Sequence, residues 1–584
     1  MIFDQVKNEV ILEGNIKFLK AKQYFEAEYL RFNFEKKNGI VKDIYGLINI
    51  GTLDSDLSFL SKNNKEINKA LYKKQVTKVN YEGESNVALE NSFSSNRKFN
   101  ITDADISLIA VNRWRFKADE INIVNDQLTS DLIFFTNDPF NKPQLKLKST
   151  NFLARIEEKD NSFSLISKST WINLDDKLSF PIGRQSISDR EKISTWTIGS
   201  DYKEKDGFYV QRSFEKSPSE NFKLNLTPYI LVQRISKNYT KAFPEKGQHS
   251  TSDKVINDID FGDYFALSTS LDGNLYDWDM NFTVFLNSLN IDRLSDATRL
   301  ILTLRKSINL KGDDENLTEN DDSENFLDVK FYNAYRKEIN RGFSGEREIY
   351  YAKGLTLSNR RLWKFLKNRS NLTLSYDLGE FHAKSRNKKK LLKLIRNTFL
   401  AEYSYRFPLW RRKKIDKKID IDYKYSPKVV KQGVLWNTFI DGGIFVYDDD
   451  DEGIQEILSF KTGPEFIFGG LKRKFFDYTK INIQLNYIFK DGVSPFYFDN
   501  IDNTKRVKVN LDQQIYGPIL FNLESFFIVD NKSDDFGKYT STKYSVGIKR
   551  RAYEINGYYN PTSKAIGMNF KIFNFDYGGV GSKF

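Results

Sequence analysis

The sequence predicts an all-β protein in which a small N-terminal sheet domain precedes one very large antiparallel β-barrel. Apolar and polar residues alternate in runs that restart from Phe222 near the middle to Ile572 near the end, which is the periodicity of strands. The apolar content is concentrated in aromatic residues, which favour strands: the chain has 48 phenylalanines, 31 tyrosines and 7 tryptophans but 3 methionines. A sheet of about 400 residues with one apolar face and one wet face is most simply closed as a membrane barrel.

The first 150 residues predict a compact stack of short strands. Strands are expected at Val10 to Leu19, Tyr24 to Phe34, Val41 to Ile50, Asn86 to Phe93, Asp103 to Leu108, Arg113 to Asp119 and Ile121 to Val124. A short helix built on Leu60, Ile67 and Leu71 is expected between the third and fourth of them. These lengths and spacings are typical of a sheet sandwich or a solenoid.

From Leu178 onward the predicted strands lengthen and their connections become unequal. Tight turns such as Asp272-Gly273 occur beside long charged loops such as Lys311 to Asn325, a pattern typical of outer-membrane barrels. At about 10 residues per tilted strand, this region provides roughly 20 to 26 strands. Because side chains cannot fill so wide a barrel, its lumen is expected to hold water, a plug or a substrate path.

The residue types present argue against an enzyme. Cys 0 excludes disulfides, thiolate metal sites and cysteine catalysis. The two histidines, His249 and His382, stand apart among polar residues, without the spacing of a metal site or a general base. We therefore expect no catalytic residue, no metal and no cofactor, and a hydrolase that uses acidic side chains is the enzymatic alternative left open.

The net charge of +12 comes mostly from lysines on polar faces, with dense basic runs at Lys384 to Arg396 and Arg411 to Lys418. Nucleic acid is not expected as a partner, because these runs lack interleaved stacking aromatics and a compact basic domain. They are interpreted as solvated loops, with contact to anionic lipid or glycan phosphates as the alternative. The acidic run Asp448 to Glu452 is also interpreted as a solvated loop, because it lacks the glycine and ligand spacing of a calcium loop.

Several segments resemble, in order, one family of lipid-transport proteins. Val10 to Ile16, followed by Ala27 to Leu30 and Gly39 to Val41, is similar to the repeat of the periplasmic domain shared by lipopolysaccharide-transport proteins. Trp114 to Ile121 resembles the strand that closes this domain in the outer-membrane LPS-assembly family (organic solvent tolerance protein), and Leu178 to Arg184 resembles the segment that leads into its barrel. Asp206 to Tyr209, Leu226 to Tyr229, Phe475 to Thr479 and Ser494 to Asp499 resemble the cyanobacterial branch.

The resemblance implies a division of the chain into three parts. Residues 1–150 would be a periplasmic β-jellyroll domain with a lipid slot, residues 151–180 a junction, and residues 181–584 an outer-membrane β-barrel. The segment Met1 to Lys7 lacks the sections of a secretory signal, so we expect the precursor to carry a signal and the first jellyroll strands ahead of it. Known members join the periplasmic domain to the barrel by disulfides, which this chain cannot form because it has no cysteine.

The resemblance also implies a function and partners. The protein would receive lipopolysaccharide or a related glycolipid from a periplasmic lipid-bridge protein and insert it into the outer leaflet through a lateral gate. A lipoprotein plug in the lumen, the outer membrane and the barrel-assembly machinery would be further partners. The alternative is a wide porin for small polar solutes, which would have a closed seam and a constricting loop with opposed charges.

The predicted lipid slot is an apolar strand face in the N-terminal domain. Its proposed residues are Val10, Leu12, Ile16 and Phe18 in the first long strand and Trp114, Phe116 and Ala118 at the far end of the domain. Alternate residues of a strand share one face, while Glu13 and Lys17 point the other way. An ordinary closed core made of the same residues is the alternative interpretation.

Three prolines and the terminal aromatic residue complete the predicted site. Pro139 and Pro143 are expected to shape the junction between slot and barrel. Pro181 is a candidate for the lateral gate, because proline cannot donate a ladder hydrogen bond; a proline that simply begins a strand is the alternative. Phe584, preceded by Phe573, Phe575 and Tyr577, resembles the barrel-assembly signal of outer-membrane proteins.

Overall fold

A computed structural model confirms that the chain is all-β, with large antiparallel sheets. The structure describes residues 2–49, 79–80, 113–125, 127–157, 162–187, 191–201, 205–219, 221–244, 255–310, 325–340, 346–365, 368–387, 390–412, 423–449, 453–501, 503–561, 565–573, 575–577, 579, 581 and 583–584. The helix predicted around Leu60 to Leu71, the strands at Asn86 to Phe93 and Asp103 to Leu108, and His249 lie outside these residues.

The first sheet contains nine strands, each hydrogen-bonded to the next. They are β1 (Ile2–Asp4), β2 (Glu9–Lys20), β3 (Gln23–Asn33), β4 (Asn38–Asn49), β6 (Arg113–Val124), β7 (Gln127–Thr136), β8 (Leu145–Glu157), β9 (Ser162–Leu174) and β10 (Leu178–Ile187). A separate short strand, β5 (Val79–Asn80), pairs with β29 (Asp576–Tyr577) near the end of the chain. The first sheet thus continues past both predicted boundaries, at residues 150 and 180, as far as Ile187.

A line of bulges crosses the middle of the first sheet. In β2 the register to β3 shifts between Glu13 and Ile16, where Gly14 has a φ of +73° and Asn15 a φ of +44°. Asp43 in β4 and Asn151 in β8 also have positive φ, at 53° and 48°. Gly, Asn and Asp adopt this left-handed conformation more readily than other residues, which explains why they occupy these positions.

The bulges keep both halves of each strand facing one core. Val41 and Ile44 have opposite parity in β4, as do Leu147 and Phe152 in β8, yet all belong to the same buried cluster. An extra residue moves the alternation to the other face, so the apolar residues on both sides of a bulge point the same way.

The second sheet contains 18 strands across the described residues, again in sequence order. They are β11 (Glu191–Asp201), β12 (Gly207–Ser219), β13 (Phe222–Ile230), β14 (Phe265–Leu275), β15 (Trp278–Leu286), β16 (Thr298–Asn309), β17 (Asn325–Asn340), β18 (Glu346–Phe365), β19 (Asn368–Lys384), β20 (Leu391–Arg411), β21 (Gly433–Tyr447), β22 (Ile454–Gly469), β23 (Tyr478–Gly492), β24 (Lys505–Tyr516), β25 (Ile519–Ile528), β26 (Tyr539–Lys549), β27 (Tyr553–Asn560) and β28 (Ala565–Ile572). The count within the described residues lies below the predicted range, and the central strands are longer than predicted: β20 alone has 21 residues.

Short helical segments lie in the connections of the second sheet. Helix α1 (Val232–Lys237) and the 3₁₀ turn Phe261–Tyr264 lie between β13 and β14. The 3₁₀ turn Ile291–Arg293 and helix α2 (Leu294–Ala297) lie between β15 and β16. No helix in the described part of the chain is both long enough and apolar enough to cross a membrane.

The second sheet has an apolar face and a polar face. In β22, Ile454, Leu458, Phe460 and Phe468 are exposed on the apolar face. The residues between them, including Gln455, Ser459 and Glu465, are buried on the polar face. In β23 the apolar face carries Ile483, Leu485, Tyr487 and Phe489. The alternation predicted for this region therefore corresponds to a real division between two surfaces.

The second sheet does not form a closed ladder. Its first strand, β11, lies close to its last strand, β28, at a few positions, and also close to β10 of the first sheet. Within the described residues no hydrogen-bonded ladder joins β11 to either of these strands. Among the described residues, β11 and β28 are therefore the two edge strands of the second sheet.

Candidate functional site at the junction of the two sheets

The main buried cluster is shared by the two sheets. It joins Trp114, Phe116 and Ala118 of β6 to Ile133 of β7, Leu147 of β8, Ile172 of β9 and Ile182 of β10. Ala552, Tyr553 and Ile572, from the last strands of the second sheet and the turn before them, belong to the same cluster. The core of the first sheet therefore includes residues from the end of the chain.

This cluster continues onto the apolar face of the second sheet. Phe180 of β10 meets Phe570 of β28 with ring centres 6.3 Å apart, and Phe570 stacks on Tyr553 at 6.2 Å. Ile555 also packs against the cluster, and its cross-strand partner Ile548 is 40% exposed on the apolar face. Apolar side chains thus run without a break from the core face of the first sheet to the apolar face of β26 to β28. We call this run the apolar path.

The predicted slot residues have different positions along this path. Trp114, Phe116 and Ala118 are almost fully buried within the main cluster. Ile16 packs against the cluster, and Phe18 is 48% exposed while its ring stacks on Phe25 at 5.7 Å. Val10 is buried and Leu12 half-buried, on the other side of the bulge at Gly14. The face is apolar along its length, and its role as a lipid slot stays a prediction.

Pro139 and Pro143 lie in the loop between β7 and β8, and both are buried. Arg115 of β6 fixes the position of this loop, because its guanidinium donates hydrogen bonds to the carbonyl oxygens of Asp138 at 2.7 Å and Phe140 at 2.8 Å. The loop reaches the second sheet, where the Phe140 ring lies 5.9 Å from that of Tyr423. The two prolines thus occupy the place where the sheets meet.

A buried ion pair fastens this loop to the second sheet. Arg551, in the turn between β26 and β27, donates through Nε to both carboxylate oxygens of Asp138, at 2.9 and 2.8 Å. The Asp138 side chain is fully buried and that of Arg551 is 9% exposed. Asp138 also accepts from the backbone N–H groups of Phe140 and Gln144, so its lone pairs are well used. We call this ion pair and its neighbours the junction clamp.

Three further polar side chains complete the junction clamp. The Asn137 amide donates to the carbonyl oxygens of Ala552 at 3.0 Å and Phe573 at 2.7 Å. Gln144 accepts from the Arg551 backbone N–H and donates to the carbonyl oxygen of Lys424. Asp175, between β9 and β10, accepts from Arg550 at 2.7 Å and from the Tyr553 hydroxyl at 2.9 Å. These contacts connect the first sheet to the ends of β26, β27 and β28.

Pro181 lies in β10, opposite Trp171 of β9, and is exposed. The prediction put it in an early strand of the barrel, but the break between the sheets falls after Ile187, so it belongs to the last strand of the first sheet. The ladder shifts register between Pro181 and Gly183, where Gly183 has a φ of +75°. Its part in a gate stays a prediction.

Phe584 packs on the first sheet and not at the end of a strand of the second. Its ring lies 5.0 Å from the Arg115 guanidinium and 6.5 Å from the Tyr45 ring. Phe573 and Phe575 are buried with Tyr24, Tyr45 and Leu47, on the face opposite the main cluster. The alternating run predicted here is interrupted because β28 ends at Ile572. Burial raises the pKa of the Tyr45 phenol, while the nearby charge of Arg115 opposes that rise.

A connection between β23 and β24 folds over the polar face of the second sheet. Its described residues, 493–501 and 503–504, are called the inward loop. Phe496 and Phe498 are almost fully buried in it, and the Phe498 ring lies 5.6 Å from Phe381 of β19. Asp499 pairs with Arg396 of β20 at 2.6 Å. Arg396 is the last residue of the basic run that was predicted to be solvated. Its side chain is 12% exposed because it pairs with the buried Asp499, whereas Lys390 and Lys393 of the same run are exposed.

No cluster of three or more metal-ligating side chains occurs among the residues that the structure describes. The polar face of the second sheet instead carries ion pairs between strands. Lys461 contacts Asp441, and Arg406 and Lys480 both contact Glu465. These ion pairs cross between neighbouring strands and balance the charges of the polar face.

These observations define a class of all-β protein in which the buried core of one sheet is continuous with the apolar face of another. The chain belongs to the family described as "Protein of unknown function (DUF3769)", whose sequence model matches residues 109–576. A comparison with curated proteins found no match. The family description carries no function, so it neither supports nor opposes the resemblance to LPS-assembly proteins.

The junction clamp and the inward loop were not singled out from the sequence. Asp138 and Arg551 are 413 residues apart in the chain, and nothing local marks them as partners. The local signal is the pair of adjacent arginines, Arg550 and Arg551, in the turn between β26 and β27. The sequence of Ser494 to Asp499 does not predict that this segment folds over a sheet.

Proposed function

We propose that the protein is an outer-membrane translocon without enzymatic activity, which delivers lipopolysaccharide or a related glycolipid to the outer leaflet. In this proposal the first sheet is a periplasmic jellyroll that receives the lipid. The second sheet closes into a barrel with β11 beside β28, and the lipid leaves through the seam between them.

The apolar path is the observation that carries this proposal. An acyl chain in water costs about 0.8 kcal/mol per methylene, so a carrier must offer an unbroken apolar lining. The path begins among Phe116 and Trp114 and ends at Ile555 and Phe570, beside the exposed apolar face of the second sheet. A lipid that follows the apolar path would reach the bilayer without its acyl chains contacting polar side chains.

The loose seam supports a lateral exit. Each ladder hydrogen bond contributes roughly 0.5 to 1.5 kcal/mol, so a seam without a ladder between β11 and β28 is the least costly place to open. The exposed apolar residues of β22 and β23, such as Leu485 and Phe489, suit contact with hydrocarbon. Membrane strands that lack a neighbour must find backbone partners, which favours closure of the sheet when no lipid passes.

The expected bridge partner would meet the first sheet along an edge strand. A periplasmic lipid-bridge protein would extend the sheet there by backbone pairing, so that the lipid passes between two continuous sheets. A lipoprotein plug against the polar face and insertion by the barrel-assembly machinery complete the proposal.

Depletion of the protein in cells, followed by measurement of surface glycolipid, tests the function. We expect surface glycolipid to fall while glycolipid accumulates in the inner membrane. Normal surface glycolipid together with reduced solute uptake would refute the translocon and leave the pore as the function.

Photocrosslinking tests the apolar path directly. A photoreactive side chain in place of Phe116, which faces the main cluster, is expected to capture lipid in living cells. The matched control is the next residue, Lys117, whose ammonium lies 5.9 Å from the Phe584 ring. Equal capture at both positions would show that the inside of the first sheet is not the route.

A second candidate function, a pore for polar solutes, is favoured by the inward loop. Such a loop would narrow an aqueous lumen and select solutes by charge. One charged side chain of this loop, Asp499, is, however, already paired with Arg396 at 2.6 Å. The buried rings of Phe496 and Phe498 beside this ion pair are better suited to sealing a lumen than to sorting ions.

A further inference from the structure

An exposed turn with aromatic and basic side chains joins β22 to β23. Its residues, 470–477, are called the aromatic–basic turn. Phe475 and Phe476 are 65% and 53% exposed, and their ring centres lie 4.5 Å apart. Arg473 and Lys474, which precede them, are also exposed, and neither has an ion-pair partner among the described residues. Adjacent exposed rings beside uncommitted charges mark a surface that contacts a partner or a membrane.

Hydrogen bonds fix the shape of this turn. The Asp477 carboxylate accepts from the backbone N–H groups of Lys472 at 2.7 Å and Arg473 at 3.0 Å. The fully buried Gln514 side chain accepts from the Asp477 backbone N–H and donates to the Arg473 carbonyl oxygen. Phe476 has a φ of +44°, a conformation that a bulky residue keeps only where its surroundings hold it. The turn is therefore ordered before it meets a partner, which reduces the entropy lost on binding.

The turn continues the apolar face of the second sheet. Phe475 forms a β-bridge with Tyr516 at the end of β24, and Tyr516 lies opposite Ile519 of β25. Ile519 is in turn opposite Ile548, which is on the apolar face, and cross-strand partners point to the same face. Toward this end of the sheet, aliphatic side chains thus give way to aromatic rings and the rings to Arg473 and Lys474. Acyl chains, interface and phosphates follow one another in the same order in a bilayer.

The aromatic–basic turn is linked to the junction clamp. Leu471, inside the turn, is buried in one cluster with Tyr425. The Tyr425 ring lies 5.5 Å from the guanidinium of Arg550, which pairs with Asp175 of the first sheet. The turn and the place where the two sheets meet are therefore at the same end of the second sheet and share packed side chains.

We propose that the aromatic–basic turn docks on anionic phospholipid, with Arg473 and Lys474 on the phosphates and the two phenylalanine rings where the acyl chains begin. The two cations select an anionic lipid over a zwitterionic one, because Asp477, the one acid of the turn, is occupied by backbone N–H groups. This inference rests on the membrane location in the proposed function. It adds a lipid that the protein binds and does not export, and that sets the depth of the junction clamp relative to the bilayer.

A single fluorescent label tests the docking site, because the chain has no cysteine of its own. The full-length protein with Phe475→Cys is labelled with bimane and reconstituted into equal parts of phosphatidylglycerol and phosphatidylcholine. Bromine, which quenches the label on contact, is placed on the acyl chains of one lipid or of the other. We expect brominated phosphatidylglycerol to quench more strongly, with a relative affinity of about fivefold, the contribution of one cation near an anionic surface. Arg473→Gln combined with Lys474→Gln should bring this ratio to about one.

The matched control is Leu485→Cys with the same label. Leu485 is 56% exposed on the apolar face in the middle of β23, so both brominated lipids should quench its label equally. Equal quenching of the Phe475→Cys label by the two lipids, with the Leu485→Cys label quenched, would overturn the docking site and leave the translocon standing. A ratio that the double substitution leaves unchanged would also overturn it. No quenching at Leu485→Cys would place the apolar face outside the bilayer and remove both the docking site and the proposed function. Circular dichroism checks that each variant is folded.

Discussion

Asp138 and Arg551 form an ion pair whose removal has a large expected effect. Replacing one partner of a buried pair leaves the other charge uncompensated, which costs about 3 to 5 kcal/mol. Asp138→Asn should therefore lower the thermal unfolding temperature of the purified protein in detergent and expose the loop at Pro139 to protease. Differential scanning fluorimetry and limited proteolysis measure these effects.

The matched control for that change is Asp176→Asn in the same sheet. Asp176 pairs with Lys146 at 2.8 Å, but its side chain is 61% exposed. Exposed pairs contribute about 0 to 1 kcal/mol, so a small shift is expected. Equal shifts for Asp138→Asn and Asp176→Asn would mean that the junction clamp does not hold the sheets together.

Gly183, at the register shift in β10, allows the left-handed backbone conformation of one bulge to be tested. Its φ is +75° and no atom lies within 4 Å of an added Cβ, so Gly183→Ala changes only the backbone preference. The left-handed conformation costs a residue with a Cβ about 1 to 2 kcal/mol, and we expect that loss of stability in a denaturation series. Gly442→Ala, where φ is ordinary and the nearest atom is 3.9 Å away, should be neutral. If Gly183→Ala and Gly442→Ala lowered the free energy of unfolding by the same amount, Gly183 would not be held in the left-handed conformation.

At the scale of elements, the inward loop is expected to seal the polar side of the second sheet. Phe498→Ala removes a ring that packs on Phe381 and Phe496 and should loosen the loop by about 3 to 5 kcal/mol. Single-channel recording in planar bilayers should then show larger or more frequent conductance than for the unmodified protein.

Phe536→Ala is the control for the loop, because Phe536 is 60% exposed in another connection at the same end of the strands. We expect its conductance to match that of the unmodified protein. A wide, steady conductance before any substitution would contradict the sealing role and favour the pore.

Strands were predictable from the sequence, whereas their bulges were not. Alternation placed β13, which begins at Phe222, and β28, which ends at Ile572, correctly because side-chain period follows directly from backbone geometry. A bulge depends on a single residue such as Asn15 or Asp43, and asparagine and aspartate also occur in ordinary turns. The long central strands were underestimated since chain length alone does not say how far a strand tilts or extends.

For the whole molecule, closure of the second sheet can be tested by gel electrophoresis. A closed membrane barrel resists unfolding by SDS at room temperature, because every strand is paired and unfolding is slow. We expect unheated protein to migrate differently from heated protein. Identical migration, with full-length protein present in both lanes, would indicate an open sheet.

The apolar and polar faces of the candidate site were predictable, but its assembly was not. Trp114, Phe116 and Ala118 stand out by alternation within six residues of sequence. Asn137 and Ala552 are 415 residues apart, and their contact depends on how two sheets dock. Only three-dimensional packing brings such pairs together, which is why the junction clamp was found in the structure alone.

The shared core also sets an order of events during synthesis. The N-terminal strands leave the ribosome first, yet Ala552, Tyr553 and Ile572, which complete their core, arrive last. Until these residues are synthesised, Trp114 and the side chains around it stay partly exposed to solvent. Contacts between residues so far apart in sequence also form slowly. We therefore expect the core of the N-terminal sheet to stay incompletely packed until the final strands are in place.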